Sequence, residues 1–188
     1  IQSILASSKI RKPFIKKTAQ LMLKSTQELI LPSSNGVRLH SLVSTHSQTN
    51  TKQKNSLVIL IHGWEGSADS SYILSAASAL YNAGHDVVRL HLRDHGPSHH
   101  LNSGLFHAAR IEEVVVAIQS INALLTRQHT YLAGFSLGGN FALRIAAQVK
   151  RKDLKLDKVI AICPVINPPK TMVALHSGVP LYRLYFMR

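Results

Sequence analysis

One cysteine, Cys163, in 188 residues excludes an internal disulfide framework and a cysteine-rich zinc site. Acidic side chains are also scarce: 9 Asp and Glu stand against 22 Lys and Arg, leaving a net charge of +13. Only 16% of residues are charged and 45% are hydrophobic, which excludes a disordered chain. No apolar run approaches the ~20 residues of a membrane-spanning helix. What remains is a globular domain of ordinary size with a core of its own. Single-cysteine usage and the lack of a visible signal segment give a cytoplasmic expectation.

The positive surplus sits on the flanks. Lys9, Arg11, Lys12, Lys16, Lys17 and Lys24 face only Glu28 within residues 1–30. Arg144, Lys150, Arg151, Lys152, Lys155 and Lys158 face only Asp153 and Asp157, while charges between residues 31 and 143 nearly cancel. Neither a base-stacking aromatic pattern nor a helix-turn-helix signal accompanies this charge, so no nucleic-acid partner is expected. Residues 1–34 read as a basic N-terminal extension, packed on the domain with a solvated face and broken at Pro13. A weaker reading gives residues 1–30 contact with a membrane surface, since Phe14, Ile15, Leu21 and Leu23 alternate with the lysines.

From Asn35-Gly36, a turn signal, the pattern becomes regular. Val37 to Val43 alternates as a strand, and the polar stretch Ser44 to Asn55 reads as a loop. Ser56 to Ile61 (SLVILI) is a continuous apolar run, as in a strand buried on both faces. Helices over Tyr72–Ala83, His107–Arg127 and Asn140–Val149 then alternate with strands over Asp86–Leu92, Tyr131–Phe135 and Lys158–Cys163. This alternation predicts an α/β fold: a mostly parallel sheet with helices on both faces, spanning 35–168. Residues 169–188 read as the start of a lid or excursion helix. In such a sheet, ligands bind where the parallel strands end.

Two motifs fall on that edge. Gly134-Phe135-Ser136-Leu137-Gly138-Gly139 joins an apolar strand to a helix. A nucleophilic serine on so tight a turn needs glycines two residues to either side, here Gly134 and Gly138. His62-Gly63-Trp64-Glu65-Gly66 follows the SLVILI strand directly. Acyl transfer requires preorganised N–H donors for the oxyanion. Here those donors are the backbone N–H groups of Leu137 and Trp64, with Gly63 and Gly66 letting the loop approach the substrate.

HGWEGSADSSY, RLHLRDHGPSHHLNSGLFHAARIEE and GFSLGGN resemble the α/β-hydrolase fold family. More narrowly they are similar to the YheT-type hydrolases, with their HGxEGsxxSxY loop and GxSLGGN elbow. The opening IQSILAS resembles the tail of that family's Asn-Pro-His-Leu-Gln motif, and the likeness extends over essentially the whole chain. Arg93-Asp94-His95-Gly96 departs from the Arg-Gly pair usual in relatives. The resemblance implies a serine hydrolase acting on a small-molecule ester, with Ser136 as nucleophile and no metal or organic cofactor.

A serine nucleophile needs a histidine base oriented by an acid, in the chain order Ser, acid, His. After Ser136 only Asp153, Asp157 and His176 are available. Asp157 precedes its strand and so belongs to the wrong edge of the sheet. The chain is therefore expected to be cut at both ends, with the last strands, the acid and the histidine beyond Arg188. The alternative is a non-catalytic module, or an incompetent fragment, on the same fold. His91, His95, His99 and His100, with Asp94, have spacings that metal ligands use. His91 lies in a strand and Pro97 interrupts the loop, so a pocket-rim or solvent-facing role is expected instead. Cys163 is expected as a small core residue.

Overall fold

The computed structural model describes residues 12–46 and 54–178. The opening IQSILAS, residues 47–53 of the polar loop and the end of the segment after 178 lie outside them. Six strands form one sheet: β1 (Thr26–Pro32), β2 (Arg38–Ser44), β3 (Ser56–Ile61), β4 (Asp86–Leu90), β5 (His129–Phe135) and β6 (Lys158–Ile162). Their order is β1-β2-β4-β3-β5-β6. Strands β4, β3, β5 and β6 run parallel, whereas β2 is antiparallel to both β1 and β4.

The helices are α1 (Lys12–Thr18), α2 (Gln20–Lys24), α3 (Ser71–Asn82), α4 (Ile111–Leu124), α5 (Leu137–Ala146) and α6 (Pro168–Ser177). The alternation along β3 explains how one strand serves two cores. Leu57, Ile59 and Ile61 join the layer that α4 and α5 cover through Val115, Ile118, Ile121, Phe141 and Ile145. Val58 and Leu60 join the opposite layer, filled by Ile73, Leu74 and Ala77 of α3 and by Ile15, Ala19 and Met22 of α1 and α2.

Pro13 lies in the first turn of α1, where a missing N–H breaks no helical hydrogen bond, and the residues that would precede the expected break lie outside the described ones. The rest of the N-terminal segment differs from its sequence reading in one respect. Thr26–Pro32, read as part of an extension, is instead an edge strand paired over its whole length with β2. Only Leu31 in it is buried, so its sequence lacks a strong apolar alternation. The Asn35-Gly36 signal is the turn of this hairpin, with both residues at positive φ (54° and 73°).

At the far edge, β6 presents Ile160 at 52% and Ile162 at 37% exposure, and no described strand pairs with its outer side. Cys163, placed in the core by the sequence reading, is exposed there with φ 46°. It follows a strand of which only alternate residues are even partly covered.

A buried ion pair ties α4 to the loop after β4. Arg93 Nε and Nη2 donate to Glu113 Oε2 (3.1 Å) and Oε1 (2.7 Å), with both side chains 8% exposed. Breaking a buried pair strands the remaining charge. Glu113→Gln is expected to cost about 3 kcal/mol in urea denaturation. Glu112→Gln, which removes only the half-exposed pair with Lys152, is expected to cost less than about 1 kcal/mol.

Candidate active site

The turn from β5 to α5 is forced by close backbone packing. A Cβ on Gly134 would lie 2.1 Å from the Gly138 carbonyl oxygen. One on Gly138 would lie 2.4 Å from the carbonyl oxygens of both Ile61 and His62. No side chain fits at either position, so α5 starts in direct contact with the end of β3. Ser136 occupies the apex with φ 52° and ψ −113°, a backbone conformation that non-glycine residues rarely adopt. Its N–H donates to Ile162 O (2.9 Å), and its carbonyl accepts from Asn140 N (3.1 Å) and Val165 N (3.2 Å). The backbone is thus pinned on both sides while the residue itself is exposed.

The loop after β3 reaches the same point. A Cβ on Gly63 would stand 3.2 Å from Ser136 Cβ and 3.3 Å from Phe135 O. Gly66 N–H donates to Gly63 O (3.1 Å), closing a turn with Trp64 and Glu65 at its centre. Only Glu65 has positive φ there (54°), the mark of a type II turn. Gly63 N–H donates to the Tyr72 hydroxyl (3.0 Å), and a Cβ on Gly66 would strike that oxygen at 2.6 Å. Neither the Trp64 nor the Leu137 N–H donates to a backbone carbonyl among the described residues. Trp64 is 42% exposed.

Behind the loops lie histidines that the sequence reading placed at a rim or in solvent. His91 and His95 are buried, at 0% and 6% exposure, while His99 and His100 are exposed. Leu92 N–H donates to His62 Nε2 (3.2 Å), so Nδ1 carries the proton and donates to Gly63 O (2.7 Å). Ala68 N–H likewise donates to His91 Nε2 (3.0 Å), so His91 Nδ1 donates to His40 Nδ1 (2.9 Å). Each ring acts as a neutral donor–acceptor bridge between backbone segments. The burial that makes these bonds strong pushes the pKa of both His62 and His91 down from 6.5 to about 3. His95 Nδ1 donates to Arg93 O (2.7 Å), while its buried Nε2 has no partner. The sequence signal for these bridges was present only as the abundance of histidine near strand ends. Among the described residues no three His, Cys, Asp or Glu side chains converge to hold a metal ion.

Neither later candidate for acid or base is hydrogen-bonded to Ser136. Asp157 Oδ2 accepts from Thr130 N (2.7 Å), at the opposite end of β5, and that backbone N–H, with a lesser part from His129, holds its carboxyl below the usual range. Ser136 stands six residue steps along the chain from Thr130, about 20 Å. His176 is exposed on α6 and donates to Met172 O (3.0 Å). Asp94 accepts from His99 Nδ1 (2.6 Å) in the loop after β4, where that bond lowers its pKa.

The sequence pattern of the family described as the alpha/beta hydrolase fold matches residues 56–184. The chain belongs to that family. Among solved structures, the chain is similar to the esterase Pf2001 of Pyrococcus furiosus, with a TM-score of 0.69 and 18% identity over 90% of this chain and 63% of the esterase. It is also similar to XC6422 of Xanthomonas campestris, described as a serine hydrolase without a lid, with a TM-score of 0.57 and 21% identity over 82% and 79% of the two chains. The esterase Est22 aligns with a TM-score of 0.63 and 17% identity, over 86% of this chain and 53% of Est22. The chain thus spans less than two thirds of the length of two of these three. No curated protein matches the sequence.

The buried neutral histidines set the acid response of the fold. In the unfolded chain each takes up a proton near pH 6.5, whereas in the folded chain protonation waits until about pH 3. The unfolded state therefore binds more protons in between, and stability falls as pH drops through that window. His62 and His91 are each expected to lose about 2 kcal/mol by about pH 5, with the partly exposed His85 adding in the same direction. Urea midpoints measured from neutral pH downward check this. A flat profile to about pH 5 contradicts the assigned neutral rings.

Proposed function

We propose that the chain is the nucleophile-bearing part of a serine hydrolase of the YheT type, acting on carboxylic esters. The observation that carries this reading is the backbone of Ser136, held at φ 52° and ψ −113° on an exposed turn against the Gly63 loop. A serine that only closed a glycine-rich turn would not need the strain.

In this reading Ser136 Oγ attacks the ester carbonyl carbon and passes its proton to a histidine base. The carbonyl π electrons move onto oxygen, which accepts hydrogen bonds from the Trp64 and Leu137 N–H groups. Collapse of that intermediate expels the alcohol, protonated by the same histidine, and water then releases the acid by the reverse sequence. Asp157 and His176 are hydrogen-bonded elsewhere, to Thr130 N and Met172 O, which supports taking neither as that partner. The reading therefore assigns the acid and base to polypeptide beyond Arg188. One observation favours the alternative, a non-catalytic module on this fold: among the described residues no histidine–acid pair addresses Ser136.

Two experiments on the full-length protein separate them. Ser136→Ala is expected to lower ester turnover about 10⁴-fold or more and to abolish fluorophosphonate labelling. An unlabelled, inactive full-length wild type supports the non-catalytic module. The type II turn allows a test of the donor at its second position, where proline is favoured. Trp64→Pro keeps the turn but deletes the N–H, and is expected to lower kcat about 10²–10³-fold. Trp64→Ala, which keeps the N–H, is expected to leave kcat within about tenfold.

A further inference from the structure

The outward side of α1 and α2 has a composition that the hydrolase reading does not use. Ile15, Ala19 and Met22 follow helical spacing and are buried at 5%, 0% and 0% exposure in the layer of α3. Away from that buried stripe, Phe14 is 72% and Leu21 68% exposed. Phe14 lies on α1 and Leu21 on α2, and Lys17 and Lys24 each follow one of them by three residues on the same helix. Lys16, Lys17 and Lys24 are exposed, and none makes an ion pair with a described residue. No acidic residue occurs between 12 and 24. The segment thus presents two large apolar side chains inside a field of uncompensated ammonium groups.

We propose that this face rests on an anionic lipid surface, with Phe14 and Leu21 entering the boundary between head groups and acyl chains. Lys16, Lys17 and Lys24 then meet lipid phosphates at the level of the head groups. The charge is complementary to such a surface, and the apolar pair decides between partners. A nucleic-acid backbone would satisfy the lysines but give Phe14 and Leu21 no apolar phase to enter. The other basic stretch provides the contrast: Lys150 and Arg151 are exposed, yet no exposed aromatic lies beside them in the sequence.

The test is co-sedimentation of the protein with vesicles of phosphatidylcholine, alone or mixed with phosphatidylglycerol. Binding is expected on the anionic vesicles and is expected to weaken about tenfold or more as salt is raised. Phe14→Ser with Leu21→Ser, and separately Lys16→Gln with Lys17→Gln and Lys24→Gln, are each expected to weaken it at least about tenfold. Lys150→Gln with Arg151→Gln is expected to stay within about twofold. All the substituted side chains are exposed, and unchanged thermal unfolding confirms that each variant folds. In a Trp64→Phe background, Phe14→Trp is expected to shift its emission to the blue on the anionic vesicles. The proposal is overturned if no binding occurs. It is equally overturned if the serine variant binds like wild type, or if the Lys150 and Arg151 variant loses as much as the helix variants.

Discussion

The site depends on one close approach, that of the first turn of α5 to the end of β3. Gly138 makes it possible by presenting no side chain to the carbonyl groups of Ile61 and His62. That contact fixes where Ser136 stands over the sheet, and it brings the Ser136 turn beside the loop that leaves β3. Gly134 and Gly63 extend the same principle, since each would collide with or crowd backbone if it carried a Cβ. The glycines at this edge therefore act as spacers that set a distance between two backbone segments. The strain at Ser136 is maintained because the hydrogen bonds on either side of it leave the turn no other conformation.

A second layer holds the loops by neutral rings. An imidazole that accepts at one nitrogen and donates at the other joins two backbone groups without burying a charge. His62 joins the loops after β3 and β4 in this way, and His91 joins the loop after β3 to β2 through His40. The ion pairs are placed differently. Arg89, fully buried, reaches Ala68 O and Asp69, and the pair of Arg93 with Glu113 anchors the loop from the side of α4. The loops are thus braced from beneath, while Ser136 stays exposed above them.

Much of this architecture was legible in the sequence where one pattern had one cause. SLVILI reads as a strand buried on both faces, and the two glycine motifs sit directly after strands, where the sequence pattern puts them. Asn35-Gly36 was legible as a turn, but its first strand was not. TQELILP buries one residue and carries Glu28, so edge pairing with β2, not apolar patterning, decides its structure. The histidines misled because sequence spacing does not show which way a side chain points from a strand end. His91 and His95 turn inward and His99 turns outward within one short loop. Cys163 misled for a related reason: a cysteine after an apolar strand is ordinarily covered, and here the strand is at an edge.

That edge has a consequence for handling the polypeptide. β6 presents an unpaired row of backbone donors and acceptors among the described residues, with Ile160 and Ile162 exposed along it. Such a row is a template for a strand from another molecule. Lys158, exposed on that strand, works against stacking of like copies. The colloidal behaviour of these 188 residues is accordingly a contest between that repulsion and intermolecular pairing, and added salt, by screening that charge, tips it towards self-association.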